Sequence, residues 1–252
     1  MKILAITNNK GGVAKTTSVQ NIGAAFEKLG KRVLLVDLDP QGNLSSAFGI
    51  DIDNLETTTY NAMKERNAEP YIIKISENLH ILPSNLVLEK ANIEFSSLPV
   101  REMILDKTLR TIKDNYDICL IDTSPSLSLL TTNAISCANS VYIPVKAGFF
   151  EMKGSKLLID LINELKNDIN EKLEIKGLFI TQYDARTNIG QAVIETIDKN
   201  MPGKLLKTKI RNNISLVEAP ASANHIFEYD KTSNGSKDYL ELAKEILERE
   251  GE

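Results

Sequence analysis

The segment Lys10-Gly11-Gly12-Val13-Ala14-Lys15-Thr16-Thr17 constrains this chain more than any other. It sits between a short apolar run at residues 3–6 and a helical apolar pattern that starts at Thr16. A glycine pair at a strand-to-helix junction, closed by Lys and Thr, is what a phosphate loop requires. Backbone N–H groups of such a turn point inward as an anion nest, and the helix that follows adds its positive end. In that reading Gly11, Gly12, Val13, Ala14, Lys15, Thr16 and Thr17 cradle a nucleotide's phosphates. Lys15 supplies a cation to the β- and γ-phosphates, and the Thr16 hydroxyl is placed to ligate Mg²⁺. The ordinary G-x-x-x-x-G-K-[ST] pattern is nevertheless broken twice, by Asn9 at its first glycine and Ala14 at its last.

The rest of the chain repeats one theme. Apolar runs at 32–37, 118–122, 140–145 and 175–181 join the first as buried strands, separated by helical patterns. Continuous apolar strands between amphipathic helices predict an α/β fold, a mostly parallel twisted sheet with helices on both faces. Ligands collect at the carboxyl ends of such strands, where Asn8, Asp37, Asp39, Asp122 and Asp184 fall. Residues 51–115 are less regular: helical stretches at 55–66 and 87–96, a short strand at 79–82, and a helix from Pro99 to about Asn115. A last helix is expected over 236–249. With no linker or repeat, residues 1–252 read as a single domain.

Composition removes several functions. The formal net charge is −4, so any affinity for nucleic acid must come from a local patch. The 2 cysteines, Cys119 and Cys137, lie in apolar patterns and read as core residues. The first apolar run ends too soon for a secretion signal, and no run reaches the length of a membrane span. A cytoplasmic location is expected.

A series of ordered motifs lifts the phosphate-loop reading. The chain resembles the ParA/MinD family of deviant Walker A P-loop ATPases, and its Soj branch in particular. The family's K-G-G-x-G-K-T-T stands here as residues 10–17. Its second motif stands as Asp37-Leu38-Asp39-Pro40-Gln41-Gly42-Asn43, and its third as Ile121-Asp122-Thr123-Ser124-Pro125. Tyr183-Asp184-Ala185-Arg186-Thr187-Asn188 and Leu216-Val217-Glu218-Ala219-Pro220 match the Soj branch.

The resemblance implies roles. Lys10 is the signature lysine that reaches the partner's phosphates in an ATP-sandwich homodimer. Asp39 activates the attacking water, so Lys10, Lys15 and Asp39 are the candidate catalytic residues. Thr16, Asp37 and Asp122 attend Mg²⁺, the two acids through waters. Arg211 and Asn212 border the adenine. ATP and Mg²⁺ are the expected cofactors, and the expected activity is a slow, partner-stimulated hydrolysis of ATP. The resemblance further implies non-specific DNA binding, with Lys204, Lys207, Lys209, Lys231 and Lys237 as candidate contacts. It implies a nucleoid-associated location and the positioning of a plasmid, a chromosome or a protein organelle such as a carboxysome. A ParB-like adaptor would stimulate hydrolysis.

Three departures bear on this. Ala14 replaces a glycine; if the backbone there needs a positive φ, the methyl carries strain and turnover should be slow. Ser124 and Ser126 alter the third motif. Arg211-Asn212 and Ser215 alter the stretch near the adenine. Two alternatives stay open: a membrane-patterning ATPase like MinD, disfavoured by the acidic end of the last helix, and a metabolic ATP-dependent ligase on the same scaffold.

Overall fold

Eight strands and eleven helices alternate along the residues that the computed structural model describes, 1–148 and 152–252, with the side chains of 152–154, 188 and 189 left aside. The strands are β1 Lys2–Ile6, β2 Val33–Leu38, β3 Ile73–Lys74, β4 Leu79–Leu82, β5 Ile118–Thr123, β6 Ser140–Lys146, β7 Glu174–Tyr183 and β8 Leu205–Arg211. The helices are α1 Lys15–Lys28, α2 Asn43–Ala47, α3 Thr59–Glu65, α4 Glu89–Glu94, α5 Ile104–Leu109, α6 Leu129–Cys137, α7 Met152–Asp168, α8 Asn188–Asn200, α9 Ser215–Glu218, α10 Ile226–Tyr229 and α11 Asn234–Glu250. The sheet order is β3-β4-β2-β5-β1-β6-β7-β8, and every pairing is parallel except that of β3 with β4. A parallel sheet needs cover on both faces, and side-chain alternation supplies it. Val33 and Leu35 of β2 join the core under α1 and α11, while Leu34 and Val36 face α3, α5 and α6. On the far side of β1, the core of Ala5, Val141, Ile143 and Ile180 is closed by Leu158 and Ile162 of α7 and Ile197 of α8.

The expected strands are all present, and the irregular stretch differs in detail. The helix expected over 55–66 starts only at Thr59, because Thr58 and Asn61 form a reciprocal cap there. The one expected over 87–96 divides into a tight turn at Leu86–Leu88 and α4. The one expected from Pro99 to Asn115 resolves into two single turns around α5. β3 and β8 are additional to the expected strands. Cys119 and Cys137 are buried and unbonded to each other, as core residues.

The chain's end is fastened to its beginning. Tyr142 on β6 donates to Glu250 Oε1 at 2.8 Å, and Lys2 Nζ lies 3.1 Å from Glu250 Oε2. Tyr239, Leu242, Ala243, Ile246 and Leu247 turn the apolar face of α11 into the core. No helix among the described residues is long and apolar enough to cross a membrane.

Candidate active site

The functional residues meet where β1, β2 and β5 end. β1 delivers the phosphate loop and β2 delivers Asp37 and Asp39. β5 lies between them and sets Asp122 in register with Asp37 on one side and Ile6 on the other. Gly12 (φ 70°) and Ala14 (φ 62°) both take the left-handed conformation, and the alternation of backbone sign curls the loop into a nest. The positive φ considered for Ala14 is therefore present. A Cβ at Gly11 or Gly12 would meet no atom within 4 Å beyond its chain neighbours, so open space borders the loop.

That opening is a cleft of about 530 Å³, lined by Gly11, Gly12, Ala14, Lys15, Thr16 and Thr17 and faced by Asp39, Gln41 and Pro125. Lys15 points into it, buried, with Nζ on the Lys10 carbonyl at 3.0 Å. Burial lowers the Lys15 pKa, and the nearby charges of Asp122 and Asp39 resist that shift. Lys10 precedes the nest and is half-buried; its amide donates to Asn8 Oδ1 at 3.0 Å. Its ammonium is shielded from solvent here. An in-trans reach would therefore require the side chain to swing out.

The three carboxylates occupy different environments. Asp37 is wholly buried, and burial pushes its pKa up to about 6. Three donors hold it from rising further: Ser45 N at 2.9 Å, Ser45 Oγ at 2.7 Å and Asp39 N at 3.2 Å. Asp39 is nearly buried, accepts from Gln41 N at 3.0 Å in a short local turn, and lines the cleft. Asp122 is wholly buried, yet neither of its oxygens accepts a well-formed hydrogen bond among the described residues. Burial and the neighbouring Asp37 push its pKa well up, against the pull of the Thr16 hydroxyl and Lys15.

A buried carboxylate with no well-formed hydrogen bond, drawn on by the Thr16 hydroxyl beside an open phosphate cradle, fits a hard cation bridged by water. No group of three His, Cys, Asp or Glu among the described residues could hold a metal unaided. Phosphate oxygens and waters would have to complete the shell, as Mg²⁺ prefers.

A second cavity of about 230 Å³ adjoins the first and shares Ala14 and Thr17 with it. Ile210, Leu216, Val217 and Tyr239 give it apolar walls, and Gln182, Arg211, Asn212 and Asn213 give it polar ones. A flat heterocycle with exocyclic polar groups suits that mixture. Arg211 is committed elsewhere: its guanidinium grips Asp238 at 2.6 and 3.0 Å, and its backbone N–H donates to the same carboxylate. It shapes the cavity as a strut rather than as a mobile cation.

The five candidate DNA lysines do not form one cluster. Lys204 and Lys207 lie at the start of β8, while Lys231 and Lys237 lie near the start of α11. α11 runs back along β8, since Asp238 meets Arg211 and Glu245 meets the Lys207 amide. Those two contacts lie seven residues apart on α11, about 10 Å at 1.5 Å per helical residue. Lys209 lies between them, its Nζ 4.9 Å from the Tyr183 ring centre. Asp184, one of the strand-end acids, is bound by Arg186 at 2.7 Å and held down to about 2 by it. The Asn188 side chain lies outside the described residues. The larger hollow of about 840 Å³ sits at the opposite ends of the strands, where Arg32–Asp117 and Lys31–Glu252 pair off its charges.

Reading the motifs misses Ser45, Asp238, Thr181 and Gln182. Only Ser45 leaves a local signal, following a motif closely. The others arrive from distant elements.

Comparison with known proteins agrees with this geometry. Residues 1–175 match the family model described as an AAA domain. The sporulation initiation inhibitor protein Soj of Bacillus subtilis is 42% identical over 97% of this chain and 98% of its own length. The chromosome-partitioning ATPase Soj of Treponema pallidum is 37% identical over 100% of this chain and 99% of its own. Among solved structures, cobyrinic acid a,c-diamide synthase from Mycobacterium smegmatis with bound ADP and magnesium superposes with a TM-score of 0.89, at 29% identity. That match covers 99% of this chain and 95% of the synthase.

Proposed function

We propose that this chain, which belongs to the ParA/Soj family of P-loop ATPases, is a nucleotide switch that binds Mg·ATP, closes as a sandwich dimer and rides non-specific DNA to position a cargo. The observation that carries the reading is the pair of lysines bracketing one loop, Lys15 turned into its own cleft and Lys10 placed before the nest. ATP lies with its phosphates in the nest and its base in the adjoining cavity. Thr16, with Asp122 and Asp37 through water, would hold Mg²⁺, which would supply charge neutralisation at the transferred phosphoryl group. Asp39 orients and deprotonates the attacking water. Lys15, and the partner's Lys10 after it swings out, stabilise the charge that develops. A ParB-like adaptor stimulates the step.

Two observations favour DNA over the alternatives. The apolar face of α11 is consumed by the core, leaving none to lie in a lipid surface. The chromosome-partitioning ATPase Soj of Treponema pallidum is 37% identical to this chain, against 29% for the synthase.

The test is binding to random-sequence duplex with ATP, with ADP and without nucleotide, for wild type and Lys10→Ala. Binding is expected with ATP alone. Four or five phosphate contacts per dimer would cost about 10²–10³-fold in affinity between 50 and 200 mM salt. Lys10→Ala is expected to keep ATP binding and lose both dimer and DNA. A wild-type dimer that ignores DNA would overturn the DNA reading and leave the switch standing.

Ala14 gives a second expected result. A non-glycine residue in the left-handed region costs about 1–2 kcal/mol, against about 0.5–1 kcal/mol for the extra freedom of a glycine when unfolded. Ala14→Gly should therefore move stability by no more than about 1 kcal/mol. It should raise ATP turnover several-fold by letting the nest tighten on the γ-phosphate. An unchanged rate would remove the idea that Ala14 slows the enzyme.

A further inference from the structure

We infer that Thr181 and Gln182, at the end of β7, are positioning residues that clamp the phosphate nest in its anion-binding shape. The inference rests on the nucleotide reading above and deepens it. In a trans peptide the C=O and the following N–H point in opposite directions. Fixing a carbonyl outward therefore fixes the next amide inward. Gln182 Nε2 donates to the Gly12 carbonyl at 2.9 Å, which sets the Val13 N–H on the other side. Thr181 Oγ1 donates to the Val13 carbonyl at 3.1 Å, which sets the Ala14 N–H, with the Val145 carbonyl as a longer alternative at 3.4 Å. These two peptides join the left-handed residues Gly12 and Ala14, the part of the loop with the least backbone tolerance.

Gln182 is itself held at φ 51°, where a long side chain is strained. Such conformations persist where surrounding contacts over-determine them, and they gather at functional sites. Here the strain turns the residue at the strand's end so that its amide meets the loop. Thr181 is fully buried and belongs to β7 on its sheet side, so the clamp is anchored in the core. Both residues also line the smaller cavity, which makes a rival reading available: they could simply touch the base.

Two ligands separate the readings. Wild type, Thr181→Val, Thr181→Ser and Gln182→Gly are titrated with Mg·ATP and with Mg-tripolyphosphate, which has phosphates and no base. Gln182→Gly removes the amide while keeping a residue content with positive φ. Thr181→Val keeps the shape and loses the donor. A clamp predicts that both variants lose about tenfold in affinity for both ligands, and that Thr181→Ser, which keeps the hydroxyl, binds like wild type. Melting temperatures without ligand, read in parallel, show whether each variant is folded. Loss for ATP with tripolyphosphate unaffected would overturn the clamp in favour of base contact, and no loss for either would overturn it outright. Wild type that binds neither ligand would overturn the phosphate-site reading itself, and the clamp with it.

Discussion

Asp39→Asn is expected to lower ATP turnover by about 10²–10⁴-fold, the usual worth of a general base and about 3–5 kcal/mol of barrier, while Mg·ATP affinity stays level or improves. The substitution is nearly isosteric. The carbonyl oxygen of the new amide can still accept from Gln41 N, as Asp39 Oδ1 does at 3.0 Å, so the turn after β2 survives. What disappears is a negative charge and a proton acceptor facing the cleft. Losing the charge relieves repulsion with the γ-phosphate, hence the unchanged or tighter binding. It also removes one of the two carboxylates that oppose the downward shift burial imposes on Lys15, the smaller of the two after Asp122. Single-turnover hydrolysis and nucleotide titration on the same preparation check the split. An unchanged rate would reduce Asp39 to a turn-former. A parallel fall in binding, rate and melting temperature would make its role structural.

The strands that position this site were legible because they are buried on both faces and read as unbroken apolar runs. β8 escaped notice for the opposite physical reason. As an edge strand it alternates Leu206 and Ile210 with Lys207, Lys209 and Arg211, and the basic residues read as a surface patch. Its outward amides are not left bare. Glu245 accepts from the Lys207 and Thr208 N–H groups at 2.7 and 2.9 Å, and Asp238 accepts from that of Arg211 at 2.9 Å. Carboxylates from α11 thus blunt an edge that could otherwise pair with another chain. Nothing local in either segment announces that arrangement. β3 is two residues long, too short to carry a period.

The site divides along the same line. The phosphate loop and the three acids sit in contiguous motifs whose chemistry follows from residue type and spacing. Their environments do not. That Asp37 would be held by Ser45 while Asp122 makes no well-formed hydrogen bond depends on how α2 folds back over the end of β2, which spacing alone cannot show. Arg211 shows the limit most clearly. A cation next to the base cavity invites a ligand contact, yet its guanidinium is taken by a carboxylate 27 residues away. The split of the basic residues between two ends of β8 likewise arises from α11 running antiparallel to that strand.

Asp122→Asn is expected to make the unliganded protein more stable and to remove its response to Mg·ATP. The wild-type carboxyl is fully buried, with no well-formed hydrogen bond among the described residues, and in register with Asp37. Its folded pKa is raised above the unfolded value of about 3.9, so the native state holds a proton that the unfolded chain releases. Native stability therefore falls as pH climbs from that unfolded value towards the raised one, because the unfolded state binds fewer protons there. A neutral amide of the same shape escapes that cost. A gain of about 2 kcal/mol at pH 7 corresponds to about 4–8 °C in a chain of this size, shrinking towards pH 4. The same substitution withdraws the anion that attends Mg²⁺, and loss of such a partner weakens metal sites by about 10–100-fold. At saturating Mg·ATP wild type should gain about 3 kcal/mol from mass action, most of which the variant forfeits. Thermal melts at pH 5 and pH 7, with and without Mg·ATP, read both halves at once. A lower unliganded melting temperature would mean that Asp122 makes favourable contacts in the resting state. A higher one with the Mg·ATP shift intact would place the metal elsewhere. The expected pair of results would show that the fold keeps a costly buried carboxyl at the end of β5 for the sake of the ion that satisfies it.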